Sequence, residues 1–116
     1  MNHIPKVIND DMNTDPFYRK CCLARFGGCG GINIYGRTIE RHHNLIYAGK
    51  QVQKKCFILP SCPNHHSLAR NKDVQEKFDW VMLNRATDQE LIDVSKSIDY
   101  IWERNRLNNI YGQYDK

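Results

Sequence analysis

Apolar residues recur at helical spacing in the second half of the chain. Over residues 74–82 they predict one buried helix face, formed by Val74, Phe78, Val81 and Met82. Thr87 and Glu90 match a capping box, which predicts that a second helix starts there. The stripe of that helix is expected to pack in the core and comprises Leu91, Val94, Ile98, Ile101 and Trp102.

The first half has a strand-like pattern. Alternation over residues 32–43 predicts a short strand pair that turns at Tyr35-Gly36. A polar loop is expected over residues 44–55, and the apolar run 56–59 predicts a buried strand stopped by Pro60. Strands followed by helices indicate a small α+β fold.

Length and composition indicate a single domain. The chain has 116 residues, 41% of them hydrophobic, and a formal net charge of +4. We expect a flexible N-terminal arm over residues 1–16, a core over 17–86 and a C-terminal helical extension over 87–116. With no apolar stretch long enough for a bilayer and no secretory signal, the expected location is the cytoplasm, where thiols stay reduced.

The cysteines favour metal over disulfides, since five is an odd number and the expected compartment is reducing. Cys62 and His65 have the spacing of a zinc knuckle. Cys29 and one of Cys21 or Cys22, with Cys21 preferred, would complete four ligands for a structural Zn²⁺. The alternative is that these are buried thiols, which is the preferred interpretation for Cys56.

Two histidine doublets, His42-His43 and His65-His66, contain four of the five histidines. Phosphodiester hydrolysis needs a base for water and a cation for the charge on the leaving oxygen. Neutral imidazole can serve as the base and can also ligate the cation. The doublets are therefore candidates for hydrolytic chemistry.

These residues resemble a known family. Glu40-Arg41-His42-His43, a loop, and then the run from Phe57 to His66 are similar to an HNH nuclease of the His-Me finger (ββα-metal) class, as in small phage-encoded zinc-containing members. The resemblance covers about residues 20–85. It implies a ββα-metal core with a structural zinc knuckle and C-terminal helices, and, for a phage-encoded protein, location in the host cytoplasm.

The resemblance also implies residue roles. His43 matches the general base, and His42 and His66 match the ligands of a catalytic Mg²⁺ or Mn²⁺. Glu40, two residues before His42, is a further candidate ligand or orienting group. The four zinc candidates match the structural zinc set of the family. Phe57 stands roughly where the family has its central Asn.

The expected substrate is DNA. Candidate contacts to the nucleic-acid backbone are Arg41, Lys50, Lys54, Lys55, Arg70 and Lys72. An alternative is a non-catalytic, zinc-stabilised nucleic-acid-binding module. A third reading is a small interaction protein that docks through the helix at 88–107, which would leave an apolar face exposed. No membrane partner is expected, and the sequence does not give the oligomeric state.

Overall fold

The computed structural model of the chain describes residues 4–27, 39–47, 50–95 and 98–114. The predicted turn at Tyr35-Gly36 lies outside them. In chain order the helices and strands are α1 (Lys6–Thr14), β1 (Glu40–His43), β2 (Ile46–Tyr47), β3 (Lys50–Gln51), β4 (Ile58–Ser61), α2 (Pro63–Ser67), α3 (Lys72–Arg85), α4 (Asp88–Val94) and α5 (Tyr100–Tyr111). The described part is a small α+β structure, as predicted.

Strands β1 and β4 form the antiparallel pair from which the site is built. Glu40 lies opposite Ser61, and His43 lies opposite Ile58. Helix α2 begins immediately after β4, with Cys62 as its N-cap. The segment between the strands contains the second pair, β2 with β3, where the sequence predicted only a loop.

Strand β4 is fully buried and continues through Pro60, so the prediction that Pro60 stops the strand is wrong. A two-stranded sheet has an open edge on each strand, and an edge tolerates a residue without an N–H. The carbonyl oxygen of Pro60 accepts a hydrogen bond from the backbone N–H of Cys22 at 2.9 Å. This bond holds the first cysteine segment against the sheet.

The N-terminal segment contains helix α1, so the prediction of little structure over residues 1–16 is wrong for Lys6–Thr14. Ile8 and Met12 are four residues apart and share one face of the helix, and Ile4, just before its start, packs against the same cluster. Met12 is 1% exposed and packs in a cluster with Tyr18 and Ile58. Because Ile58 belongs to β4, helix α1 packs against β4.

Helix α3 supplies the centre of the core. Phe78, Val81 and Met82 are buried as the periodicity predicted. They pack with Phe57, which immediately precedes β4, and with Leu59, which lies in β4. None of the described helices has the length and apolar content of a bilayer-spanning segment.

The helix predicted from Asp88 is capped by Thr87 and Glu90 as expected, but it ends at Val94. Asp99 then caps α5, where its carboxylate accepts from the backbone N–H of Trp102. The predicted stripe is therefore divided between two helices. Ile98 and Trp102 are 49% and 62% exposed, so their assignment to the core is wrong.

Candidate metal and catalytic site

A buried group of two cysteines and one histidine lies where α2 leaves the sheet. The Nδ1 atom of His65 is 3.4 Å from the Sγ of Cys21 and 3.4 Å from the Sγ of Cys62. The three ligand atoms lie within 4.8 Å of one another. Within the described ranges, this is the group of His, Cys, Asp or Glu side chains that could hold a metal ion.

Local geometry brings these residues together. Cys62 has an extended backbone and Pro63 occupies the first position of α2, where its missing N–H costs nothing. The Cys62 sulfur accepts from the backbone N–H of His65 at 3.4 Å, which turns the histidine back toward the cysteine. The structure places Cys21, rather than the equally buried Cys22, in this group. Cys29 lies outside the described residues.

His65 has the charge state that ligation requires. Burial lowers the pKa of His65 below its usual value, and the nearby Lys77 ammonium acts in the same direction. A lowered pKa favours neutral imidazole, which offers a lone pair to a metal. Two thiols and a neutral imidazole are ligands that soft and borderline metals prefer.

His66, which follows His65 in the second histidine doublet, faces the start of β1. Its Nδ1 atom lies 2.7 Å from Oε1 of Glu40. The ring of His42 lies beside it, with the two ring centroids 5.0 Å apart and nearly perpendicular. We call Glu40, His42 and His66 the histidine cluster; the first two share a strand face because they are two residues apart.

His42 is the partly buried member of the histidine cluster. Its ring packs on Phe78 with centroids 4.5 Å apart, and its Nε2 lies 2.9 Å from Oδ1 of Asn44. Burial lowers the pKa of His42 to about 4, and the hydrogen bond to Asn44 only partly opposes this effect. His42 is therefore neutral at physiological pH.

This shift makes stability depend on pH. The pKa of His42 is about 4 in the folded chain and about 6.5 in an unfolded one. Between these values the unfolded state binds the extra proton, so the free energy of unfolding falls as the pH is lowered. From pH 7 to pH 5 we expect a loss of about 2 kcal/mol from this residue.

Urea unfolding at both pH values, without added divalent ion, measures the loss. The variant His42→Gln does not titrate at this position and retains the other ionisable groups. Its stability should therefore fall by less than that of the original chain over the same interval. Equal losses in the two proteins would show that His42 is not held neutral by the fold.

His43 lies on the other strand face from His42, as alternation in β1 requires. Its Nε2 atom is 3.1 Å from Oε1 of Gln53. Gln53 comes from the segment between β3 and β4, so this contact ties the segment to the strand end. The two adjacent histidines thus have different neighbours.

Sequence reasoning missed a polar network behind His42. Asn44 donates from Nδ2 to Oδ1 of Asp79 at 2.9 Å. Gln75 donates from Nε2 to Oδ1 of Asn44 at 3.0 Å and to Oδ1 of Asp79 at 2.9 Å. A signal was present, because Gln75 and Asp79 are an i,i+4 polar pair on α3 next to the apolar stripe.

The predicted phosphate-binding residues divide into two groups. Arg41 donates to Asn13 at 2.9 Å and lies over the Tyr18 ring, while Lys55 pairs with Asp11 and Asp15. The side chains of Arg41 and Lys55 are therefore engaged in contacts within the chain. The exposed members are Lys54, Arg70 and Lys72, and the side chain of Lys50 lies outside the described part.

The fold and site define a small α+β protein with a buried Cys/His group able to hold a metal ion. Comparison of the chain with protein-family models, curated proteins and solved structures finds no match. The likeness to HNH nucleases therefore depends on the quoted motifs. A functional assignment has to be argued from the residues of the site.

Proposed function

We propose that the chain is a metal-dependent endonuclease of the HNH type that hydrolyses phosphodiester bonds in DNA. The observation that carries the proposal is the histidine cluster, in which Glu40 contacts His66 at 2.7 Å beside the ring of His42. These side chains come from one antiparallel strand pair and the helix that follows it. This origin of the three side chains supports the proposal.

Each histidine of the cluster has a nitrogen available for a divalent ion. A carboxylate can only accept, so the Nδ1 of His66 carries the hydrogen that faces Glu40, and Nε2 of the neutral ring would offer its lone pair. Such carboxylate–histidine contacts orient metal ligands. A Mg²⁺ or Mn²⁺ held by His42 and His66 would act as a Lewis acid on the phosphate and its leaving oxygen.

His43 is the proposed general base. It follows His42 directly at the end of β1, and its side chain contacts Gln53 at 3.1 Å. Imidazole is suited to take a proton from water near neutral pH. Gln53 would hold the ring in one orientation while the substrate approaches.

The buried Cys/His group is proposed to hold a structural Zn²⁺. A tetrahedral ion with bonds of about 2.0–2.3 Å to nitrogen and sulfur separates its ligand atoms by about 3.5–3.8 Å. The N–S distances of 3.4 Å at His65 are close to this value. We assign Cys29 as the fourth ligand, because a closed structural site takes four protein ligands.

The exposed basic side chains Lys54, Arg70 and Lys72 are proposed to contact the DNA backbone. Arg70 and Lys72 follow α2, which carries His66. A net charge of +4 suits a polyanionic substrate.

Nicking of supercoiled plasmid tests the nuclease. Zinc-loaded protein should nick the plasmid when Mg²⁺ or Mn²⁺ is added and should not nick it without either ion. Because His43 would activate the water, His43→Ala should lower the rate by at least about a hundredfold. A gel assay with time points measures both effects.

The matched control is His3→Ala, which removes the histidine outside the two doublets. It should nick at the original rate. Equal activity of His43→Ala, or an intact plasmid under all conditions, would remove the catalytic assignment. Zinc content is measured in each variant so that loss of the buried metal is not mistaken for loss of the base.

One observation favours a second function, a zinc-stabilised nucleic-acid-binding module. Among the described residues, the histidine cluster does not bring three ligand atoms as close together as the Cys/His group does. A module that only binds would retain DNA affinity in His43→Ala and would nick nothing. Fluorescence anisotropy with a labelled duplex, run beside the plasmid assay, separates these two functions.

A further inference from the structure

We propose that Asp79, acting through Asn44, is a positioning residue that fixes His42 as the tautomer with its hydrogen on Nε2. This leaves Nδ1 of His42 with its lone pair. The inference rests on the proposed function only in the use given to that nitrogen, which is to bind the catalytic metal.

The carboxylate of Asp79 has two amide partners. Oδ1 of Asp79 lies 2.9 Å from Nδ2 of Asn44 and 2.9 Å from Nε2 of Gln75. A carboxylate can only accept hydrogen bonds. The Asn44 atom that faces Asp79 is therefore its NH₂ group, and the amide has one orientation.

The orientation of the amide decides the next contact. With NH₂ toward Asp79, the Asn44 oxygen faces Nε2 of His42 at 2.9 Å. Gln75 agrees with this orientation, because its NH₂ donates to the same oxygen at 3.0 Å. An amide oxygen cannot donate, so Nε2 of His42 must carry the hydrogen.

The consequence lies on the other side of the ring. A neutral imidazole has one N–H, so Nδ1 of His42 keeps its lone pair. Phe78 packs against the face of the ring and limits its rotation. The chain thus presents one defined nitrogen of His42 as a ligand, and the residue that selects it is on α3, which follows β4 and α2 in the chain.

The tautomer can be measured without any enzymatic activity. In ¹⁵N-histidine-labelled protein at neutral pH, the signals of His42 are identified by their absence in His42→Gln. We expect Nε2 to give the protonated type of signal and Nδ1 the unprotonated type. Asp79→Leu should replace this pattern by a mixture, since Asn44 and Gln75 then both lose the partner that can only accept, and the two amides can turn together.

Two further variants separate positioning from general damage. Asp79→Asn keeps the size of the side chain but can turn either its oxygen or its NH₂ toward Asn44, so it should give a mixture as Asp79→Leu does. Glu76→Leu, on the same helix, removes hydrogen bonds to Tyr111 and Arg106 that do not reach His42. It should lower stability and leave the His42 signals unchanged.

Metal binding gives the second measurement. With Mn²⁺ as the probe, Asp79→Leu should bind about tenfold more weakly than the original chain, and Glu76→Leu should bind equally well. A His42 in the Nδ1–H form in the original chain, or a pattern unaffected by Asp79→Leu, would overturn the inference. If the tautomer changes as expected but the original chain nicks no DNA, the positioning role stands and the proposed nuclease does not.

Discussion

Cys62→Ser is expected to abolish the proposed metal binding by the Cys/His group and to lower the free energy of unfolding by at least about 4 kcal/mol. Cys62 is fully buried, supplies one sulfur of the metal group and caps α2. Binding of a structural metal contributes directly to folding, and a domain of this size is stable by about 6–17 kcal/mol in total. Metal per chain by elemental analysis and urea unfolding measure the two losses.

The matched control is Cys56→Ser. Cys56 is also buried, but its thiol donates to Glu90 at 3.3 Å, and burial raises the pKa of Cys56 to about 12. A serine hydroxyl can donate in the same way, so we expect a cost of about 1 kcal/mol and an unchanged metal content. If Cys62→Ser retained its metal and matched Cys56→Ser in stability, the buried site would not be a metal site.

The same comparison separates the neighbouring cysteines. Cys21→Ser should behave like Cys62→Ser, because its sulfur contacts His65. Cys22→Ser should keep the metal. If the variants do not fold well enough to purify, chelation of the original chain provides the test, since zinc added back should restore the lost stability.

Met12→Ala is expected to lower the free energy of unfolding by about 2–5 kcal/mol, although the residue lies in the segment that sequence reasoning treated as an arm. Met12 is 1% exposed and fills a cluster with Tyr18 and Ile58. Its removal leaves a cavity next to β4. Chemical unfolding measures the loss.

Val7→Ala is the control on the same helix. Val7 is 76% exposed, so its change should alter stability by less than about 0.5 kcal/mol. An equally small effect of Met12→Ala would mean that α1 does not pack on the strand pair in solution.

Sequence periodicity predicted those parts of the fold in which a long apolar stripe faces the core. The stripe of α3 and the capping box at Thr87 are examples, and both are confirmed. The spacing of Cys62 and His65 likewise predicted their meeting, because one turn of a helix brings them together. The preference for Cys21 over the adjacent Cys22 is also confirmed, because Cys21 lies in the group.

The remainder depended on contacts between segments distant in sequence. The division between α4 and α5 was missed because the apolar spacing continues from Val94 to Ile98 and Ile101, although Asp99 is of the residue type that caps a new helix. The role of Asn44 could not be predicted, because its partner Asp79, at 2.9 Å, lies 35 residues further along the chain. The short α1 was missed because only Ile8 and Met12 form its apolar face in a polar stretch.

Helix α2 has five residues, and two consecutive ones face different partners. His65 contacts the buried sulfurs, and His66 contacts Glu40. Each residue added to a helix rotates the next by about 100°. A residue inserted between the two histidines would turn His66 away from Glu40 while His65 kept its contacts with the two sulfurs. The length of this turn of helix is therefore as constrained as the identity of its two histidines.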